Sequence, residues 1–507
     1  MERHIYMKKS SSTSSSKVLI NSIIYSGSGL LLKCFSFFML PLYTAYLTTE
    51  DYGITSVISS FTSTASFIVA FSLFSAVMRF YVDIKDDPEK LRRFYGTIVT
   101  FVFLSSSVFG IILTLFRNLV SKYLFSGIDY YPLIFVCLIS LVFSCQHTIF
   151  DNILRSQQKA MKSSICSIAY FLLTLVLNVF FVVGLKLGAL GTLLASLIGY
   201  LVYTLYFVVE MSINHTIKFC LDLKLLKAAL KYSIPIMPHN LSTQIALFVS
   251  KLLISGSRSL SGLGVYTVAT QFGNIADTIQ SYVDSAYGPW LYEKLHNKEA
   301  DFRKTICENV NLLISVIGLF FLGISLFAQD YIVLFVDKAY VGAWVYVPLI
   351  VTVFSIKTAY YFYVEVLFFF KEASRKLFWA TLASSFVNIF LSYFLIPIWG
   401  VYGSILADAV SMLIRVFIII AISKRYEDVG LKIRSFVKNF FIVEGFIILG
   451  LLLSIIKYQT TFSILNFGYK ILITLLYLAV SFLLNKQAVM GYVVQLKNRR
   501  AKNQKKT

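Results

Sequence analysis

The sequence predicts an all-α, polytopic membrane protein, and three observations carry that prediction. Of 507 residues, 57% are apolar and only 14% are charged, against roughly 45–50% and 25% in soluble domains. The apolar excess recurs in stretches of about 20 residues, the length a helix needs to cross a hydrocarbon core. Lysine and arginine crowd alternate connections between those stretches, as the positive-inside rule requires. An ordinary soluble enzyme is excluded by composition alone. The 46 Lys and Arg against 25 Asp and Glu give a formal net charge of +21, which in a soluble protein would suggest nucleic acid. Here the charge is mostly topology, and no nucleic-acid partner is expected.

Taken in order, residues 1–17 are polar, with Arg3, Lys8, Lys9 and a Ser/Thr run from Ser10 to Ser16, and no cleavage pattern follows. They are expected to form a disordered cytoplasmic tail. Fourteen spans follow, centred near residues 30, 67, 105, 140, 174, 199, 240, 276, 317, 358, 387, 412, 446 and 476. The N-terminal tail, the even-numbered connections and the tail from Lys486 onward hold 35 of the 46 basic residues, and the odd-numbered connections hold 7. Lys33, Lys357, Arg415 and Lys470 fall inside spans. Both termini are therefore expected in the cytoplasm. The six cysteines form no CxxC or Cys/His cluster, so neither a metal site nor a disulfide is expected.

The chain also repeats itself. Gly188, Gly191, Thr192, Leu194 and Ala195 open span six, and Gly400, Gly403, Ser404, Leu406 and Ala407 restate the pattern 212 residues later. Each copy follows an apolar helix with a lone asparagine, Asn178 or Asn388. Gly53 to Val57, opening span two, matches Gly264 to Val268, opening span eight, at an offset of 211. Six spans per copy is an even number, so both copies keep one orientation and the pseudo-two-fold axis runs along the membrane normal. The expected organisation is a tail (1–17), an N-terminal six-helix lobe (18–210), a C-terminal six-helix lobe (211–424), two additional helices (425–486) and a basic cytoplasmic tail (487–507). No connection exceeds about 20 residues, short of the roughly 50 that a catalytic domain needs. No Walker, HExxH or GxSxG motif appears. No enzymatic activity is expected, and the residues themselves read as a two-lobed transporter.

Ionisable groups inside spans cost ~2.5–3.5 kcal/mol on insertion scales, so each needs a cavity or a partner. Lys33, with Gly27, Ser28, Gly29 and Ser36 nearby, reads as a fixed positive charge for an anionic substrate, or as a lysine snorkelling to an interface. Arg79 either extends that surface or anchors span two at the cytoplasm, and the anchor reading is favoured for Arg155. Lys251 ends span seven, and Lys357 stands eight residues before Glu365, too far for an ion pair between them. Asp277 and Asp284 share a face of span eight and, with Glu365, are candidates for coupling to a proton or sodium gradient, or for structural pairing with basic neighbours. Asp408, Arg415 and Glu444 are further candidates, with a structural role favoured. Pro235 and Pro238 at the start of span seven predict a broken helix and a gating point, with His239 beside it.

Lys33 with Pro41-Leu42-Tyr43-Thr44 and Leu47 to Gly53, Pro235 to His239, Gly264-Val265-Tyr266, and Pro289-Trp290-Leu291-Tyr292 together resemble the bacterial polysaccharide-biosynthesis flippases, the O-antigen and capsule repeat-unit exporters. The resemblance spans roughly residues 17–425. It belongs to a superfamily that includes multidrug and toxic-compound extrusion (MATE) antiporters and lipid II flippases. It implies a MATE-like, V-shaped pair of bundles in the bacterial cytoplasmic membrane. By alternating access these would move an undecaprenyl-pyrophosphate-linked oligosaccharide to the outer leaflet, with no cofactor beyond an ion gradient. Polysaccharide polymerase and glycosyltransferases are the implied protein partners. Where family members often carry Thr-Arg and Asp-Arg, this chain has Thr44-Ala45 and Ser250-Lys251. A cation-coupled multidrug antiporter is the alternative, which Lys33 and the missing acid at Ser250 disfavour. A non-transporting scaffold is the third reading.

Overall fold

The structure is a computed structural model describing residues 21, 24, 25, 27–257, 259–297, 301–370, 372, 376–486 and 490. Of the expected tails, 1–17 lies outside the described residues, as does 487–507 except for residue 490. Every regular element among the described residues is helical. The chain divides into two compact units, one ending at Gly264 and the other beginning at Val265.

The first unit starts with α1 (Gly27–Tyr46), tied to α7 (Ala160–Asn178) through Ser28 Oγ and Ser164 Oγ at 2.9 Å. In α2 (Thr49–Val69) a capping box sets the start. Thr48 Oγ1 accepts from the Asp51 amide at 3.1 Å, and Asp51 Oδ2 accepts from the Thr48 amide at 3.1 Å. α3 (Leu73–Ile84) continues the same span after a 47° bend. Phe71 and Ser72 form that bend with φ of 48° and 53°, a left-handed conformation that is uncommon for bulky residues. α4 (Pro88–Leu115) begins with proline, its N-cap Asp87 accepting from the Lys90 amide at 3.1 Å. α5 (Arg117–Leu124), α6 (Phe135–Ser156) and α7 lead to α8 (Gly188–Ile213). α9 (Leu223–Ser233) and α10 (Met237–Ser257) complete the unit. α10 packs on α2 through Phe61 and Phe248, 5.9 Å between ring centres, and through Thr64 Oγ1 donating to the Gln244 carbonyl at 3.1 Å.

α11 (Leu260–Asn297) has its first turns in the first unit. There Thr49 and Ser261 share a hydroxyl hydrogen bond of 2.6 Å. Gly53 and Gly264 flank it. A Cβ on the first would overlap the Leu260 carbonyl, and one on the second the Thr49 carbonyl, so only glycine permits the crossing.

The second unit holds the rest of α11, α12 (Phe302–Phe335), α13 (Tyr346–Phe369), α14 (Leu377–Trp399), α15 (Val401–Tyr426), α16 (Ile433–Ile456) and α17 (Ile464–Leu484). On α14, Trp379, Phe386 and Tyr393 stand seven residues apart and are 68%, 71% and 64% exposed. That spacing puts them on one face, and an aromatic face without protein cover suits contact with lipid. α16 and α17, outside the repeat, are fastened to α12. Lys470, fully buried on α17, meets Asp330 Oδ2 and Gln329 Oε1, both at 2.6 Å. Asn466 and Ser454 also donate to Gln329 Oε1, at 3.1 and 3.0 Å.

Eleven described helices are long and apolar enough to cross a membrane, or twelve with the bent α2–α3 pair as one span. This makes the chain a multi-pass membrane protein, but with a lower count than the fourteen spans expected. A helix stands at each of the fourteen expected positions; α10 and α11 fall short because polar side chains dilute their hydropathy.

Both repeat motifs perform the same backbone task. Gly188 and Gly400, where α8 and α15 begin, have φ of +54° and +58°. Three residues on, Gly191 lies against the Phe181 backbone and Val182, and Gly403 against the Leu395 and Ile396 backbone.

Candidate functional site

In the first unit, the bend between α2 and α3 borders a cavity of about 410 Å³. α2 contributes Ser63, Ser66 and Phe67; α3 contributes Phe74; α6 contributes Thr148 and Asn152; α10 contributes Gln244. Phe67 and Phe74 meet edge-to-face at 5.3 Å across the bend, so the break in the helix brings these two rings together. The hydroxyls spend their protons on their own helices. Ser66 Oγ donates to the Ser63 carbonyl at 2.8 Å, and Thr148 Oγ1 to the Ser144 carbonyl at 3.1 Å. No charged side chain among the described residues lines the cavity.

Lys251 lies seven residues beyond Gln244 on α10, about 10 Å along the same face. It is half-buried, and among the described residues no acidic side chain pairs with it. Lys33 stands on an exposed stretch of α1. Arg79 is paired with Asp83 at 2.6 Å on the surface of α3, and Arg155 with Asp151 at 2.7 Å, so neither charge is uncompensated. The chain breaks between α9 and α10 at residues 234–236. Pro235 lies in the break and Pro238 in the first turn of α10, where its missing N–H costs nothing. The His239 amide donates to the Ile236 carbonyl at 3.1 Å, closing the turn.

In the second unit, α11 and α13 form a polar seam. Lys357 Nζ meets Asp277 Oδ1 at 2.6 Å, and the Tyr361 hydroxyl donates to the same oxygen at 3.1 Å. Gln280 Nε2 donates to Thr358 Oγ1 and the Phe354 carbonyl, both at 2.7 Å. One turn further, Asp284 feels the charges of Glu365 and Lys357, while its own Oδ1 is buried without a hydrogen bond. The Tyr292 hydroxyl donates to Glu365 Oε2. The structure therefore pairs Asp277 with Lys357 and sets Asp284 within reach of the charges of both Glu365 and Lys357. Asp408 accepts from Asn388 Nδ2 at 2.7 Å, Arg415 Nε donates to Ser384 Oγ at 2.8 Å, and Glu444 Oε2 accepts from Thr352 Oγ1 at 2.9 Å.

Sequence reasoning missed the cavity lining and the Lys470–Asp330 pair. Lys470 was visible as a basic residue inside a span. Ser66, Thr148, Asn152 and Gln244 carried no such signal, because neutral polar residues inside helices are ordinary. Also missed was His147 on α6, enclosed by Tyr170, Tyr200 and Tyr203 with ring centres 4.9, 5.5 and 4.2 Å away.

Helices of membrane-spanning length, a duplicated glycine junction and polar groups set inside the helices define the class, a two-unit helical multi-pass membrane protein. The chain belongs to the polysaccharide biosynthesis protein family, whose profile matches residues 18–295. Solved structures agree on the fold. A lipid II flippase MurJ in an inward closed conformation superposes with a TM-score of 0.68 at 17% identity, covering 92% of this chain and all of that one. An inward-facing multidrug resistance MATE family transporter of the MOP superfamily gives 0.55 at 16%, covering 81% and 99%. An outward-facing conformation of a transporter of that description gives 0.50 at 15%, covering 81% and 95%. No curated protein sequence matches the chain.

Proposed function

We propose that the protein translocates undecaprenyl-pyrophosphate-linked oligosaccharide repeat units from the inner to the outer leaflet of the bacterial cytoplasmic membrane by alternating access. Both termini lie in the cytoplasm on this reading. The observation that carries it is Lys251, a half-buried cation on α10 with no acidic partner among the described residues. A charge inside a membrane protein calls for a counter-charge, and a pyrophosphate supplies one. Lys357 has its counter-charge in Asp277, so its part in substrate binding requires that pair to open. Asp284 and Glu365 are the groups we assign to coupling with a proton or sodium gradient, with Asp277 acting through Lys357. Lys33 supplies positive charge along the path, Arg79 adds to it when its pair with Asp83 opens, and the break at Pro235, Pro238 and His239 is the gating point. The membership in the polysaccharide biosynthesis family supports a glycan cargo.

The test is deletion of the gene followed by lipid extraction and complementation. Undecaprenyl-linked oligosaccharide is expected to accumulate on the cytoplasmic leaflet, with export restored by the wild-type copy and reduced at least tenfold with Lys251→Met at equal expression. Unchanged glycan lipids together with new sensitivity to cationic dyes would move the protein to the multidrug antiporters. Unchanged glycan lipids without that sensitivity would leave the scaffold reading.

A further inference from the structure

We infer that the cavity of the first unit is a subsite for uncharged sugar rings, separate from the place where the anionic group of the cargo is held. The inference rests on the cargo proposed above and deepens it. The lining offers two amides, Asn152 and Gln244, and hydroxyls such as those of Ser66 and Thr148, with two phenyl rings, Phe67 and Phe74. One N–H of Asn152 donates to the Thr148 carbonyl at 2.8 Å, which leaves its carbonyl oxygen and second N–H for a ligand. The Gln244 side-chain amide has no hydrogen bond among the described residues. Because Ser66 and Thr148 direct their protons to backbone carbonyls, their oxygens face other groups as acceptors. A sugar hydroxyl matches such a set, since it donates to the oxygens and accepts from the amides, while its C–H faces lie against the rings.

The same lining argues against an anion. A carboxylate or phosphate leaving water for this cavity would meet only neutral dipoles, without the cation that offsets desolvation. Lys251, two helical turns away on the face that carries Gln244, is placed to hold the charged end of the same molecule. The volume of about 410 Å³ falls within the roughly 300–1,000 Å³ of small-ligand sites. The cavity thus selects for neutral over acidic sugars at the position it receives.

The experiment is saturation-transfer NMR on the full-length protein in lipid nanodiscs. The probes are methyl α-D-glucopyranoside and N-acetyl-D-glucosamine as neutral sugars, D-glucuronate as an acidic one, and inorganic pyrophosphate followed by phosphorus line broadening. Neutral sugars are expected to give a signal at least fivefold above glucuronate, and Asn152→Leu or Gln244→Leu to reduce it at least fivefold while pyrophosphate broadening persists. Gln244→Ser, which adds no apolar bulk, is measured alongside and is expected to lose the signal too. Absence of a neutral-sugar signal from the wild-type protein, an equal glucuronate signal, or full retention in all three variants overturns the subsite. A neutral-sugar signal that depends on the two amides, without pyrophosphate broadening that depends on Lys251, supports the subsite and counts against the proposed pyrophosphate-linked cargo.

Discussion

The junction of α7 with α8 and the junction of α14 with α15 share a pair of glycines and differ in the side chains that surround them. Both turn through a glycine, with φ of +54° at Gly188 and +58° at Gly400, and both lay a second glycine against the preceding helix. At the spacing of 212, however, Ser196 and Tyr203 of α8 stand where α15 has Asp408 and Arg415. The first copy joins Tyr203 to a group of aromatic rings around His147, 4.2 Å between ring centres. The second copy holds its acid on Asn388 and its guanidinium on Ser384. Duplication kept the parts that steric exclusion dictates and released the rest. At these two positions neutral chemistry settled in the first copy and ionic chemistry in the second.

The largest expected effect tests the shared part. A Cβ on Gly403 would overlap the Leu395 backbone, whereas one on Gly191 would stand 3.1 Å from Val182 and 3.2 Å from the Phe181 backbone. Gly403→Ala is therefore expected to abolish folded protein in size-exclusion chromatography. Gly191→Ala is expected to fold with a loss of about 1–3 kcal/mol. Equal behaviour of the two would break the claim that both copies pack alike but with different tolerance.

Next in size is the ionic chemistry of the second unit. Lys470→Met is expected to lower stability by about 3–5 kcal/mol, since it strands Asp330. Adding Asp330→Leu should recover most of the loss in a thermal melt. A double variant no better than the single one would show that Gln329, rather than the charge, holds α17. Installing the chemistry of the first copy in the second, with Asp408→Ser and Arg415→Tyr together, should cost about 1–3 kcal/mol, because Asn388 and Ser384 each lose a partner. Export should survive. Its loss in a stably folded double variant would give those charges a transport role and sharpen the contrast between the copies. The smallest effect is expected of Arg79→Ala, which removes an exposed pair within one helix and should leave the melting temperature unchanged.

The helical fold and the duplication were legible because both are periodic. Apolar stretches recur at membrane length, basic residues recur at alternate connections, and glycines recur at matching places in the two copies. Charged groups stood out only where burial makes them costly, as for Lys470 inside an apolar run. Pairing was not legible. Lys357 meets Asp277 across a separation of 80 residues, and helical spacing constrains neighbours along one helix but says nothing about which helix lies opposite. The cavity escaped for a related reason. Asn152 and Gln244 come from two helices, and the cavity they line borders a bend at Phe71 and Ser72 that no proline or glycine announces. Of the fourteen expected spans, those at α10 and α11 are helices whose polar residues dilute the hydropathy that marks a span, so the count of fourteen is not confirmed there.

The Lys470–Asp330 pair also imposes an order on biogenesis. The two residues are 140 positions apart, and at roughly 5–20 residues/s a ribosome needs on the order of 10 s to travel between them. Throughout that interval α12 carries an acid whose cation has not been synthesised. A chain truncated before α17 would carry it indefinitely, an acid left without its cation on a helix of membrane-spanning length.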